Sequence, residues 1–151
     1  MDAIDLKILK AVMRDARVNW SELAKKLGVS NPTIADRVRR LEERGVIKGY
    51  SALINPEEIG SGLAAMIAVS LEKPSHRAGF LKLVQSTEMI QECHHIAGDD
   101  DFLLKVRCGS AKELENLISE KIKSLPGVYR TRTTIVLSTV KETPILPVRE
   151  D

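Results

Sequence analysis

Apolar residues in the first third of the chain recur at intervals of three and four, the period of a helix with one buried stripe. Ile4, Ile8, Leu9 and Val12 form such a stripe. Asp2 is placed to cap that helix, and Asp5 adds negative charge to its first turn, where the helix dipole favours it. A second helix is predicted to open at Asn19, with Glu22 as its capping-box partner. It buries Leu23, Ala24 and Leu27, and Gly28 ends it in a left-handed turn. Ser30 caps a third helix that takes Pro32 in its first turn, where a missing amide hydrogen costs little. Ile34, Val38 and Leu41 form its buried stripe, and Gly45 closes it. Residues 47–50 and 52–54 then read as a short strand leading away. Three helices with a tight glycine turn between the last two make a helix-turn-helix unit.

Beyond Asn55-Pro56 and Gly60-Ser61-Gly62, which bracket a linker, the pattern changes. Residues 63–71 read as a strand, 77–85 as a helix with Phe80, Leu81 and Val84 on its apolar side, and 89–96 as a strand. The turn Gly98-Asp99-Asp100-Asp101 leads into a strand at 102–106. Ser110 caps a helix carrying Leu114, Leu117, Ile118, Ile122 and Leu125, with Glu113 at the capping-box position. Pro126-Gly127 ends it, and 128–140 form a last strand rich in Thr and Val. The order β-α-β-β-α-β is the ferredoxin-like plait, so the fold class is α+β. Expected boundaries are 1–50 for the helix-turn-helix, 51–62 for strand and linker, 63–142 for the plait and 143–151 for a tail. The nearly continuous apolar runs at 64–69 and 102–104 predict a sheet covered on both faces, the second face by another copy of the chain. Small domains also gain from association, and helix-turn-helix proteins usually bind paired half-sites as dimers.

Composition adds less than pattern. Apolar residues make up 43% of the chain and aromatics 3%, so the core must be aliphatic. Net charge is +2, and all of the excess lies in residues 1–60, the correct half for nucleic acid but too small to decide anything. Cys93 and Cys108 are the only cysteines; they supply neither a disulfide framework nor a zinc-ligand pair, and no metal or cofactor is expected. The longest apolar run, at 63–69, is far short of the roughly 20 residues of a membrane span. The N-terminus lacks the features of a signal peptide, so a cytoplasmic protein with reduced thiols is expected, with no membrane partner.

The arginines at 37, 39, 40 and 44 could be a solvated face paired with Glu42 and Glu43. Their order points elsewhere. Short polar groups (Ser30, Asn31 and Thr33) stand at the helix start, arginines follow, and the acids come near the far end, whereas the dipole would favour acids first. In this reading Ser30, Asn31, Thr33 and Arg37 lie near base edges of double-stranded DNA, and Arg39, Arg40 and Lys48 nearer phosphates. Pro32 and Asp36 belong to the same face.

Three motifs in order resemble one family: the stretch from Ser30 to Tyr50, then Gly-Asp-Asp-Asp-Phe-Leu-Leu-Lys-Val, then Leu-Pro-Gly-Val-Tyr-Arg-Thr-Arg-Thr. The chain is similar to the Lrp/AsnC (leucine-responsive, or feast/famine) transcriptional regulators from Ile4 to about Thr143. The resemblance implies a winged helix-turn-helix joined to an amino-acid-binding plait, and dimers formed through the sheets that often assemble to octamers. It implies an amino-acid effector between dimers, held by the loop Gly98, Asp99, Asp100 and Asp101, with Thr131, Thr133 and Thr134 of the last strand contributing from a neighbouring subunit. A free amino acid needs a carboxylate for its ammonium group, a role open to Asp101, though Gly and Asp also dominate ordinary turns. The family usually has an aromatic where this chain has Asp100, and a free acid there would favour a basic effector such as lysine or arginine, or leave the site insensitive to ligand.

Two other classes stand beside this reading. Siroheme decarboxylases share a related fold, and His94 and His95 lie on a predicted strand. Adjacent strand residues point to opposite faces, however, so the two histidines cannot serve one site together. A ligand-binding oligomer without DNA binding has no reason to keep the basic residues of the third helix. Both cysteines are expected as buried thiols near strand ends.

Overall fold

The computed structural model describes residues 1–148; the end of the expected tail, 149–151, lies outside the described residues. The chain divides into two units, one made of residues 1–53 with the C-terminal stretch from Lys141, the other of residues 54–140. The backbone therefore passes from one unit to the other twice.

In the first unit, α1 spans Ala3–Arg14, α2 Trp20–Leu27 and α3 Asn31–Glu43. The expected caps are present. Asp2 accepts the amides of Ile4 and Asp5, and the Asp5 carboxylate returns to the Asp2 amide, a complete capping box. Asn19 accepts from Ser21 and Glu22 without the expected return bond from the Glu22 carboxylate, and Ser30 accepts from Thr33. Gly28 sits at φ 70°, the left-handed region that a residue with a Cβ enters only under strain, and this turns α2 into α3. Ile8, Leu23, Ala24, Ile34, Val38, Leu41 and Ile47 close one aliphatic core, with Trp20 packed at its margin. The strand expected across 47–54 is absent. A strand needs a neighbour to complete its ladder, and every strand among the described residues belongs to the second unit. The chain instead turns back at Gly45, so that the Val46 and Ile47 amides both reach the Leu41 carbonyl.

The second unit holds β1 (Leu63–Leu71), α4 (Arg77–Ser86), β2 (Ile90–His95), β3 (Phe102–Cys108), α5 (Ala111–Asn116) and β4 (Val128–Ile135). A single 3₁₀ turn, Pro74–His76, leads into α4, and α5 runs on as π-helix through Leu117–Ile122, which periodicity alone did not foresee. The sheet order is β2-β3-β1-β4 with all neighbours antiparallel, the expected plait. Ala65, Ile67 and Val69 of β1 and Phe102, Leu104 and Val106 of β3 pack with Phe80, Leu114, Leu117 and Ile122 on the helix side. β4 ends at Ile135 rather than 140. Ile135 pairs with Ala65, and after one further bond, Val136 to the Ala64 carbonyl, β1 is nearly used up. Gly127, at φ 85°, lies so close under the His76 ring that a Cβ would collide with it. That contact seats the turn before β4 against the turn before α4.

The second face of the sheet is more mixed than the nearly continuous apolar runs at 64–69 and 102–104 suggest. β3 alternates, with Leu103, Lys105 and Arg107 half-buried between buried neighbours. On β1 the residues facing this side are Ala64, Met66, Ala68 and Ser70. Ala68 lies between Leu103 and Arg132, and Ser70 beside Arg130, so long side chains on flanking strands shelter small ones. The apolar run of β1 is thus satisfied largely within the chain.

Candidate functional site

α3 presents Ser30, Asn31 and Pro32 to solvent at its N-terminus, with Thr33 half-buried beside them. The Ser30 and Thr33 hydroxyls are 2.7 Å apart. One turn on, Asp36 holds both Arg39, at 2.6 Å, and Arg40, at 2.8 Å, while Glu43 also takes Arg39. These arginines are 60% and 67% exposed, and ion pairs so exposed contribute roughly 0–1 kcal/mol, so a phosphate can displace them cheaply. Asp36 thus holds both guanidiniums on one side of the helix. Lys48 is exposed beyond the turn.

Arg37 is placed differently. Its Nη1 donates to Asp2 and to Asp5, each at 2.7 Å, and its side chain is only 26% exposed. The contacts with Asp5 and Asp2 raise the guanidinium above its ordinary value, and the Asp5 amide with Arg37 holds Asp2 below the usual carboxylate range. Arg37 therefore ties α3 to the cap of α1, so the guanidinium that the sequence reading put near base edges is already engaged within the unit. Nearby, the Tyr50 hydroxyl donates to Glu42 at 2.7 Å; burial and that carboxylate push the phenol up to about 12. Tyr50, Glu42, Arg39, Val38 and Trp20 line a groove of about 370 Å³ on this unit.

In the second unit Gly98 and Asp99 are exposed, and the next two residues are engaged. Asp101 is tied three ways: its amide donates to Val69, its carbonyl accepts from Ile96, and its Oδ2 accepts the Leu71 amide at 2.7 Å. Asp100 overturns the expectation of a free acid. Its side chain is 3% exposed, and the carboxylate accepts from Ser70 Oγ at 2.8 Å, Arg130 Nη2 at 3.0 Å and Arg132 Nη2 at 2.6 Å. Ser70 first, then the two arginines, hold it below the usual carboxylate range. Arg130 also donates to the Asp99 carbonyl at 2.6 Å. A carboxylate so occupied cannot recruit a basic side chain, and the reason for expecting a basic effector is removed.

The threonines do not form one set. Thr131 and Thr133 pair with Val69 and Ile67 on the helix side, whereas Thr134 pairs with Met66 on the other face with Arg132 and Arg130. Ser70, Arg130 and Arg132 were missed by the sequence reading, although two arginines at i and i+2 on a strand do signal a shared face. His94 and His95 point apart as expected: His94 pairs with Glu92 at 3.0 Å, and the His95 ring lies 5.1 Å from Phe102. Cys93 and Cys108 are free, and burial raises both thiols. Among the described residues no cluster could hold a metal ion, and no helix is long and apolar enough to cross a membrane.

Comparison with known proteins agrees with this architecture in both units. Residues 1–48 match the winged helix-turn-helix DNA-binding family, and residues 64–146 match the Lrp/AsnC ligand-binding domain. The leucine-responsive regulatory protein of Haemophilus influenzae is 41% identical over 97% of this chain and 89% of its own length. A transcriptional regulator of Neisseria meningitidis, solved as a complex with L-methionine, superposes with a TM-score of 0.92 at 28% identity, covering 97% of this chain and 96% of that one. The feast or famine regulatory protein of Mycobacterium tuberculosis, also solved with L-methionine, gives 0.85 at 38% identity, with 96% and 97% covered. With both domains matched in order and nearly the full length aligned, the chain belongs to the Lrp/AsnC family of transcriptional regulators.

Proposed function

We propose that this chain is a sequence-specific, DNA-binding transcriptional regulator of the cytoplasm, not an enzyme, whose DNA binding responds to an amino acid. The observation that carries it is the layout of α3, with exposed Ser30, Asn31 and Pro32 at its N-terminus and exposed, loosely paired Arg39 and Arg40 behind them. Asn31, with Ser30 and Thr33, reads base edges in the major groove, while Arg39, Arg40 and Lys48 contact phosphates. Asp36 aims the arginines, and Arg37 fixes the angle of α3 through Asp2 and Asp5. The chain acts as a homodimer that assembles further, to an octamer, through the plait domain at 63–142, with 1–50 as the DNA-binding domain and 51–62 and 143–151 as connection and tail. In the effector site Asp101 takes the ligand's ammonium, exposed Gly98 and Asp99 border it, and Thr131, Thr133 and Thr134 come from neighbouring copies on two different faces.

Fluorescence anisotropy on the DNA upstream of the chain's own gene, with and without each of the twenty amino acids, tests this. Specific binding at least about a thousandfold tighter than to random duplex, with a steep salt dependence, is expected. Equal affinity for both duplexes at all salt concentrations, or porphyrin binding without DNA binding, would sink it.

A further inference from the structure

We infer that Asp36 is a specificity-determining residue of α3, selecting a cytosine in the major groove and opposing bases that offer only acceptors there. The inference rests on the DNA-binding reading above and assigns one acidic side chain a base. The other acids of α3, Glu42 and Glu43, stand at its far end.

The place of Asp36 on the helix carries the argument. Ile34, Val38 and Leu41 mark the buried stripe of α3. At about 100° per residue, Asp36 falls roughly 170° from the middle of that stripe, at the centre of the outward face. Arg39 stands about 60° to one side of it and Arg40 about 40° to the other. A helix entering the major groove with this face forward puts Asp36 over the base edges. Its two arginines then point to opposite walls of a groove about 12 Å wide.

In the free chain both arginines turn to Asp36, at 2.6 and 2.8 Å. Phosphates on the two walls compete for the same guanidiniums, and each one captured takes a partner from the carboxylate. An ionised carboxylate can only accept hydrogen bonds, and over a base edge without a donor it loses its water for nothing. Cytosine offers the N4 amino group in the major groove, and adenine offers N6 beside an acceptor, N7. Guanine and thymine offer acceptors alone. Cytosine therefore suits a lone carboxylate best. On random duplex the arginines gain phosphates only by stranding Asp36, so the same side chain weakens non-specific binding.

Anisotropy titrations of the full chain test this on the upstream duplex, with each base pair of one half-site changed in turn, and on random duplex. One C·G pair is expected at which any substitution costs the wild type about fivefold or more in affinity. Asp36→Ala should make that position indifferent, keep the penalties at the others, and tighten binding to random duplex by roughly twofold to fivefold. Asp36→Asn, whose amide both donates and accepts, should shift the preference at the same position toward adenine. Both variants replace a side chain that is 38% exposed, and circular dichroism melts check that they fold. If Asp36→Ala does not fold, the base shift in Asp36→Asn decides alone. Unchanged penalties at every base pair, or an equal fall in all of them, overturns the inference and leaves the DNA-binding reading standing. Wild-type protein that binds all duplexes equally removes both together.

Discussion

The two units carry charge clusters of inverse composition. In the first, one arginine, Arg37, is held between two aspartates, Asp2 and Asp5, at a helix cap. In the second, one aspartate, Asp100, is held between two arginines, Arg130 and Arg132, on a sheet face. The first cluster engages its cation and leaves that side chain 26% exposed. The second buries the anion and leaves a surplus of positive charge exposed. A count of charges by region misses both effects, because what a surface offers a ligand depends on which member of each cluster is covered. The +2 of the whole chain is thus a poor guide to either surface.

The sharpest break of this comparison is to remove the buried centre. Asp100→Ala leaves two cations facing each other and a serine hydroxyl without its acceptor, and should lower the thermal midpoint by roughly 5–10 °C. An unchanged melt would mean that solvent replaces the carboxylate freely. Next in size is Arg37→Ala, expected to cost about 1–3 kcal/mol in urea unfolding. It should weaken binding to specific and random DNA by the same factor. A loss confined to the specific site would return Arg37 to the groove and undo the contrast.

Acid should act on both clusters in the same direction. Asp2 and Asp100 have folded-state values below that of the unfolded chain, so their stabilisation is complete above about pH 4. It is lost as the pH falls through the folded values, and Asp2→Asn or Asp100→Asn should flatten the acid limb of a pH–stability curve. At the other end of the scale, Tyr50 is raised to about 12, so its contribution is present below about pH 10 and lost as the pH rises toward 12. Tyr50→Phe should abolish the late phase of an ultraviolet phenolate titration. The smallest expected change is Arg39→Ala or Arg40→Ala, each lowering the slope of log affinity against log salt by about one. A slope that does not move would place these two arginines away from DNA.

What could be read from the sequence follows the distance over which each feature is decided. Caps at Asp2, Asn19, Ser30 and Ser110 and the stripes of α1–α3 depend on neighbours three or four residues away, and all were legible. Even there the detail slipped: Glu113 returns to the Gly109 amide rather than that of Ser110. The strand expected at 47–54 and the overlong β4 failed because a strand exists only where a partner runs alongside, and local β-propensity does not reveal the partner's length. The same distance hid the partners of two candidate site residues. Arg37 meets acids 35 and 32 positions earlier, and Asp100 meets arginines 30 and 32 positions later. Their residue types were visible, but the loss of Arg37 from the exposed set and the neutralisation of Asp100 were not.

The double passage of the backbone between units bears on truncation. The stretch from Lys141 groups with residues 1–53, although the ligand-binding family match runs on to residue 146. Ala65 lies opposite Ile135 and Val136 donates to the Ala64 carbonyl, so the first and last strands of the second unit run side by side. A helix-turn-helix piece made of residues 1–53 alone would lack what the C-terminal stretch contributes, and a chain cut before Lys141 should leave the first unit the less stable of the two.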